Sequence, residues 1–199
     1  ACASAGLIVG VITLTGMGLM MTDFVEQISA GNVLIMLVLT AVICLLIGAG
    51  VPTTANYILV ATLMAPVIVE LGARSDLVIP LIGVHLFVFY FGIMADVTPP
   101  VGLASYAAAA ISNDDPNATG LQATWYSLRT AVLPFVFIFN PQMLLIGVGS
   151  WTQIVVICLS ATVASLLFAA ATMGWFRTRC RWWEMGALLL STFLFFRPD

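Results

Sequence analysis

The sequence predicts an all-α integral membrane fold that contains a re-entrant helical hairpin and a discontinuous transmembrane helix. Of the 199 residues, 62% are hydrophobic and 8% are charged, and lysine is absent. A soluble domain carries about 25% charged residues, so this chain has too few of them to solvate a surface. Two long stretches are almost free of charge, and glycine or proline interrupts each one near its middle. Such interruptions predict unwound backbone inside a membrane.

Composition also excludes several classes of function. Six arginines without a basic face argue against nucleic-acid binding. The cysteines are scattered, lack metal-ligand spacing and are interpreted as reduced apolar residues: Cys2, Cys44, Cys158 and Cys180. With one histidine and no nucleophile–base pair, the sequence predicts neither an enzyme nor a catalytic or haem-binding respiratory subunit. No cofactor is expected.

The first elements lead to the hairpin. An apolar segment, Gly6–Met21, is followed by a polar stretch, Thr22–Asn32. Two apolar arms follow, Val33–Ile47 and Tyr57–Leu71, on either side of the first break. Each arm would be about 22 Å long at ~1.5 Å per residue, which is less than the ~30 Å hydrocarbon core. We therefore expect a hairpin that enters and leaves on one side, with two full spans joined by a tight turn as the alternative.

The next element is the discontinuous helix. Residues 77–111 are uncharged except for Asp96 and the titratable His85. Thr98, Pro99 and Pro100 prevent regular helical hydrogen bonding. The sequence thus predicts a first half-helix ending near Met94, an unwound elbow, and a second half-helix over Leu103–Ile111. A lone histidine on an apolar helix is usually hydrogen-bonded packing, and His85 is interpreted in that way.

The remaining segments follow from composition alone. They are a short loop at Gly72–Asp76, an aqueous loop at Ser112–Gly120, a span at Ala123–Phe139, an interfacial segment at Met143–Gly149, a span at Thr152–Phe176 and a last apolar piece after Glu184. That last piece is shorter than the ~20 residues needed to cross a bilayer.

Orientation rests on one cluster of charge. Arg177, Arg179 and Arg181 directly follow the span at Thr152–Phe176, and tryptophans at positions 175, 182 and 183 form a predicted aromatic belt. The positive-inside rule places this end in the cytoplasm. Counting crossings backward, the hairpin opens to the outside.

The first break has the residues of a turn. Gly48 and Gly50 let the backbone turn without a Cβ penalty, and Pro52 favours the start of a new helix. Freed carbonyls in such a break, together with side-chain oxygens, make a shell of hard ligands that suits Na⁺.

Three polar side chains follow the turn, namely Thr53, Thr54 and Asn56. They could cap the returning arm or bind an ion or substrate, with the threonine hydroxyls as Na⁺ ligands. The alternative, left open by the sequence, is a tight turn whose polar groups satisfy only their own backbone.

The second break contains Asp96, the only carboxylate between Asp76 and Asp114. An ionisable group inside a membrane indicates a functional site. Asp96 could ligate a cation directly or hold the elbow by capping nearby N–H groups. Thr98 is a further candidate Na⁺ ligand, and Pro99 belongs to the same candidate ion- and substrate-binding segment.

At these residues the chain resembles a known family. The segments GAGVPTTANYILVA (48–61), HLFVFYFG (85–92) and DVTPPV (96–101) are similar to the large membrane subunit of TRAP transporters, the tripartite ATP-independent periplasmic carriers. The likeness is to the fused permeases, in which small and large membrane subunits share one chain. It covers residues 1–149, and residues 150–199 resemble an additional membrane extension without transport chemistry.

The resemblance implies an elevator-type carrier built from two inverted repeats, each with a hairpin and a broken helix. Residues 48–56 would be the tip of the second hairpin and residues 96–101 the elbow of the second broken helix. The first repeat and the small subunit are expected upstream. The resemblance also implies Na⁺-driven uptake of organic anions, which are mostly carboxylates. It further implies a periplasmic binding protein of the TAXI type as partner and multi-pass insertion in the bacterial inner membrane.

Two other functions remain open from the sequence. One is an elevator-type dicarboxylate/Na⁺ symporter that works without a binding protein, since it would share the hairpin. The other is a non-catalytic membrane subunit of a respiratory complex. A passive channel is disfavoured because the breaks suit a closed binding site better than a continuous polar pore.

Overall fold

A computed structural model describes residues 7, 10, 11, 14–49, 51, 53–75 and 77–196. These residues are mostly helical, which confirms the all-α prediction. The helices are α1 (Met17–Ser29), α2 (Val33–Gly48), α3 (Thr53–Arg74), α4 (Leu81–Met94), α5 (Leu103–Ser112), α6 (Pro116–Phe139), a 3₁₀ turn (Pro141–Leu144), α7 (Trp151–Met173) and α8 (Trp182–Phe196). A two-residue antiparallel ladder joins β1 (Trp175–Phe176) to β2 (Thr178–Arg179). Within the described ranges, α3 and α7 are long and apolar enough to cross a membrane.

The chain divides into two compact units, Ala1–Phe135 and Val136–Asp199. In the first unit, α1 to α4 pack against one another. Their shared core is fully buried and includes Leu37, Val60, Met64, Ile68, Phe87 and Val88. Lipid tails are as apolar as these side chains, so close packing holds such helices together in a membrane more than removal from water does.

Helix α2 begins where the sequence predicts it. The Asn32 side-chain oxygen accepts the backbone N–H groups of Leu34 and Ile35 at 3.0 and 3.3 Å, which satisfies two donors of the first turn. The helix ends at Gly48, one residue after the predicted Ile47. Its 16 residues make it about 24 Å long.

The second arm of the hairpin is longer than predicted. Helix α3 has 22 residues, or about 33 Å, because it starts at Thr53 and not at Tyr57 and ends at Arg74 and not at Leu71. The first three residues of the predicted loop at Gly72–Asp76 are therefore helical. Threonines on a helix surface do not stop a helix, and the side chain of Asn56 bonds to another helix and does not cap this one. At the other end Arg74 pairs with Glu70, at 2.7 Å, and with Glu26 on α1. An i,i+4 pair of this kind stabilises the last turn. The prediction of two equally short arms was therefore wrong.

The elbow agrees with its predicted bounds. Helix α4 ends at Met94 and α5 begins at Leu103, ending at Ser112. The start of α4 differs, because residues 77–80 are non-helical and Pro80 stands at the N-cap. Without a backbone N–H, and with φ fixed by its ring, Pro80 suits a position just outside the helix. The uncharged stretch that begins at residue 77 is therefore helical only from Leu81.

The loop after α5 is shorter than predicted. Asn113 ends α5 with a left-handed φ of 57°, and the Asp115 carboxylate accepts the N–H of Ala118 at 2.9 Å. Pro116 then starts α6, as proline often does in a first turn. Residues 116–120 are helical, so the aqueous loop is confined to residues 113–115.

In the second unit α7 packs against α8. Helix α7 ends at Met173, before the predicted Phe176, because Gly174 adopts a left-handed φ of 65°. The chain then forms the ladder of β1 and β2, and the predicted last apolar piece is helix α8, of 15 residues.

Candidate functional site

The two predicted breaks meet in space. The Asn56 amide, in the first turn of α3, donates a hydrogen bond of 2.7 Å to the backbone carbonyl of Gly92 in the last turn of α4. Asn56 is fully buried. A side chain of the hairpin tip is thus joined to the helix that leads into the elbow.

This contact requires glycine at position 48, whereas at position 92 a Cβ would meet the asparagine at an ordinary contact distance. A Cβ added at Gly48 would lie 2.3 Å from the Asn56 Nδ2 atom and 2.8 Å from the Cβ of Ala95. A Cβ at Gly92 would lie 3.4 Å from the same nitrogen. We call these four residues, Gly48, Asn56, Gly92 and Ala95, the asparagine socket. Gly48 is the last residue of α2 and its φ is not positive, so it serves close approach here and not the backbone turn that the sequence predicts for it.

The socket contains an acceptor without a donor. Among the described residues, the Asn56 Oδ1 atom is buried and has no hydrogen-bond partner. Leaving a buried polar atom unpaired costs about 1–3 kcal/mol. The hydrogen bond to Gly92 fixes which end of the amide is nitrogen, so the unpaired atom is the oxygen. It is able to accept a hydrogen bond or to ligate a cation.

The elbow begins with a tight set of bonds to one carbonyl. The backbone oxygen of Met94 accepts the N–H groups of Val97 and Thr98, each at 3.1 Å. It also accepts the Thr98 hydroxyl at 3.0 Å. The chain leaves α4 as a closed turn and not as free backbone. The peptide bond between Pro99 and Pro100 is cis.

The far side of the elbow is bonded to α5. The Ser105 hydroxyl donates to the Val97 carbonyl at 2.8 Å, and the Ala104 N–H donates to the Asp96 carbonyl at 3.0 Å. Ser105 is buried. The sequence reasoning missed it, since the only signal was one serine in an apolar run after the prolines. These bonds hold the elbow against the start of α5.

The predicted site residues lie in different environments. Gly50 and Pro52 lie outside the described residues. Thr53 and Thr54 are exposed on the first turn of α3, Asp96 and Thr98 are half-buried, and Pro99 is exposed. Within the described part of the chain, no three histidine, cysteine or acidic side chains are grouped. A cation here would depend on neutral oxygens together with Asp96.

A second contact joins the same two helices. The Tyr57 hydroxyl lies 3.1 Å from His85 Nδ1, and its ring meets Phe89 edge-on with centroids 5.5 Å apart. This confirms the interpretation of His85 as a hydrogen-bonded packing residue. Tyr57, next to Asn56, was missed because nothing in the sequence pairs it with a histidine 28 positions away.

A family comparison covers this whole region. The sequence model described as "Tripartite ATP-independent periplasmic transporter, DctM component" matches residues 1–152. The chain belongs to this family. Membership confirms the resemblance to the large TRAP permease subunit, and the socket and the elbow both lie inside the matched region. DctM is a family of membrane transporters and not of enzymes.

The rest of the chain matches a different family model. Residues 154–199 match DUF3394, which is described as a domain of unknown function. No curated protein and no solved structure matches the chain. The division at residues 149/150 stays a prediction, because the DctM match ends at 152 and the compact units meet at 135/136.

Proposed function

We propose that this chain forms one of the two inverted repeats of a Na⁺-driven permease that imports organic anions, chiefly carboxylates. Membership of the DctM family supports the permease part of the proposal. The contact between the hairpin tip and the elbow supports a binding site at that place. A re-entrant path for α2 and α3, elevator-type movement and multi-pass insertion in the bacterial inner membrane belong to the same proposal.

The observation that carries the proposal is the buried Asn56 Oδ1 atom, which has no hydrogen-bond partner among the described residues. A buried acceptor is retained at a cost, which a ligand would offset on binding. Amide and carbonyl oxygens are hard donors that suit cations preferring oxygen. In broken-helix carriers such oxygens coordinate the coupling ion, and helix N-termini face the anionic substrate.

We assign ligands from both breaks. The Na⁺ side chains would be Thr53, Thr54, Asp96 and Thr98. Because the Thr98 hydroxyl donates its proton to Met94, the lone pairs of its oxygen remain available to a cation. The wider ion- and substrate-binding set adds Gly48, Gly50, Pro52, Asn56 and Pro99.

The proposal includes partners. A periplasmic binding protein of the TAXI type would deliver the anion, and a small membrane subunit would be fused upstream. The family description, that of one component of a tripartite transporter, supports delivery by a separate protein over a symporter that works alone.

Sodium binding can be tested without knowing the substrate. The midpoint of thermal unfolding of the purified full-length permease is measured in NaCl and in KCl at equal ionic strength. We expect Na⁺, but not K⁺, to raise the midpoint, since a ligand that binds only the folded state stabilises it. No difference between the two salts would contradict the proposal.

The role of Asp96 is tested in the same assay. Asp96→Asn should reduce the Na⁺ response, whereas Asp114→Asn should leave it unchanged. Asp114 is a matched control because it is exposed and its carboxylate accepts the N–H of its chain neighbour Asp115 at 2.8 Å. Equal responses of the two variants would remove Asp96 from the site.

Transport is tested in proteoliposomes with an inward Na⁺ gradient and a panel of radiolabelled carboxylates. We expect uptake only when the cognate binding protein is added. Uptake without it would favour the stand-alone symporter, and uptake independent of Na⁺ would overturn the coupling.

A further inference from the structure

The turn between α7 and α8 lies outside the DctM match, in a region to which the family description assigns no function. We infer that this turn binds the phosphate headgroups of anionic phospholipids. We call residues 174–183 the arginine turn. Its sequence is GWFRTRCRWW, with arginines at positions 177, 179 and 181.

The arginine turn has a defined shape. Trp175 pairs with Arg179, and Phe176 with Thr178, in the antiparallel ladder. Arg177 stands at its apex with a φ of 60°, and the Cys180 N–H closes the base by donating to the Gly174 carbonyl at 2.9 Å. Residues directly opposite in such a ladder share a face, so Trp175 and Arg179 project to the same side.

No carboxylate in the described part of the chain neutralises the three arginines. All three are exposed, and among the described residues none of them forms an ion pair. Glu184 is the one carboxylate near them in sequence, and it accepts the backbone N–H of Arg181 at 2.8 Å, as a helix cap. Arg74, in the other unit, is instead paired with two carboxylates. The guanidinium groups of the turn are therefore free for bidentate contact with phosphate.

The surrounding aromatic residues point to lipid as the source of that phosphate. Trp175, Trp182 and Trp183 are 60%, 84% and 52% exposed. Indole rings concentrate at the headgroup level of a bilayer. The turn directly follows α7, one of the two described helices that could cross a membrane. Exposed indoles and unpaired guanidinium groups at the end of such a helix match an anionic bilayer surface better than free phosphate in solution.

The test uses the full-length permease in detergent, mixed with equal amounts of phosphatidylglycerol and phosphatidylethanolamine. Native mass spectrometry counts the lipids retained. We expect a preference for phosphatidylglycerol that falls about a hundredfold in the triple variant Arg177→Gln/Arg179→Gln/Arg181→Gln, since each arginine near an anionic surface contributes about fivefold. The matched control is Arg74→Gln. This variant loses an arginine that already forms ion pairs within the protein, so it should keep the preference for phosphatidylglycerol. Inorganic phosphate at millimolar concentration should not displace the lipid.

Three outcomes would overturn the inference. They are equal retention of both lipids by the unmodified permease, an unchanged preference in the triple variant, and displacement of lipid by inorganic phosphate. If the triple variant is not recovered as a folded permease, the three single Arg→Gln variants replace it. Each should lower the preference in part, and no change in any of them would overturn the inference. The triple variant could instead lose a co-purifying protein while its lipid retention stays unchanged. That result would overturn the inference in favour of a protein partner.

Discussion

The two breaks in the first unit place their polar side chains in different hydrogen bonds. The carbonyl groups of Met94, Asp96 and Val97 accept hydrogen bonds at the elbow. Their donors belong to the elbow itself and to the start of α5. The described part of the hairpin tip also closes a turn of its own, from the Val51 N–H to the Gly48 carbonyl at 3.2 Å. Its Asn56 side chain, however, bonds to the Gly92 carbonyl of another helix, and the buried Asn56 oxygen has no partner among the described residues. Inside a bilayer no water can make up such a deficit. The polar side chains Thr98 and Ser105 thus bond within the elbow and α5, whereas Asn56 at the tip bonds to a different helix and has an acceptor to spare.

This difference suggests separate roles. A segment that satisfies its own hydrogen bonds keeps its shape when its neighbours move, so the elbow would serve as a fixed platform. A contact made across two helices is lost when they separate, so the hairpin tip would be the part that responds to a ligand. The predictions below test this comparison, from the largest expected effect to the smallest.

The largest effect is expected at Gly48. Gly48→Ala would place a methyl group 2.3 Å from Asn56 Nδ2 and 2.8 Å from the Cβ of Ala95. The asparagine is held by its hydrogen bond, and Ala95 Cβ is fixed to the backbone, so neither moves easily. We expect a loss of about 1–3 kcal/mol in unfolding free energy, as for other overpacked sites, and loss of transport.

The matched control for Gly48→Ala is Gly186→Ala in α8. A Cβ at Gly186 would meet nothing within 4 Å, and alanine favours a helix over glycine. Thermal unfolding of both variants in detergent makes the comparison. If Gly48→Ala is as stable as Gly186→Ala, the socket is not closely packed.

Asn56→Leu should have a smaller effect on stability and a larger one on the sodium response. The change removes the donor to the Gly92 carbonyl, but it also removes the unpaired oxygen, so the two effects partly offset. We expect a net loss of about 1 kcal/mol. The Na⁺-dependent rise in the unfolding midpoint should disappear. A variant that keeps this rise would show that the Asn56 oxygen is not a ligand.

Ser105→Ala tests the elbow as a platform. The hydroxyl donates to the Val97 carbonyl at 2.8 Å and is buried, so we expect a loss of about 0.5–1 kcal/mol. The control is Ser165→Ala, because Ser165 also donates to a carbonyl at 2.8 Å but is exposed on α7. Both variants are compared by thermal unfolding and by the Na⁺ response. A strong loss of the Na⁺ response in Ser105→Ala, with stability unchanged, would show that the elbow changes with ligand binding and is not a fixed platform.

The sequence predicted the elbow better than the hairpin, for a physical reason. Pro99 and Pro100 act locally, because proline cannot continue a helix, and so both bounds of the elbow could be placed. The start of α3 was misplaced because Thr53 and Thr54 suit a turn or a helix surface equally well. The bond from Asn56 to Gly92 joins residues 36 positions apart, and no local pattern predicts such a contact. Ser105 was missed for the same reason, since its partner lies eight residues back in an irregular segment.

The smallest change in stability is expected at the two threonines that begin α3. Thr53 and Thr54 are exposed, so Thr53→Val and Thr54→Val should each change the unfolding free energy by about 0.5 kcal/mol or less. If their hydroxyls ligate Na⁺ as proposed, both variants should nonetheless need more Na⁺ for half-maximal uptake in proteoliposomes. The control for the loss of a surface hydroxyl is Thr162→Val on the exposed face of α7. The Thr162 hydroxyl donates to the Cys158 carbonyl of its own helix. Unchanged Na⁺ activation in Thr53→Val and Thr54→Val would leave the Asn56 oxygen and the backbone carbonyls as the only ligands at the tip. The contrast between the two breaks would then depend on Asn56 alone.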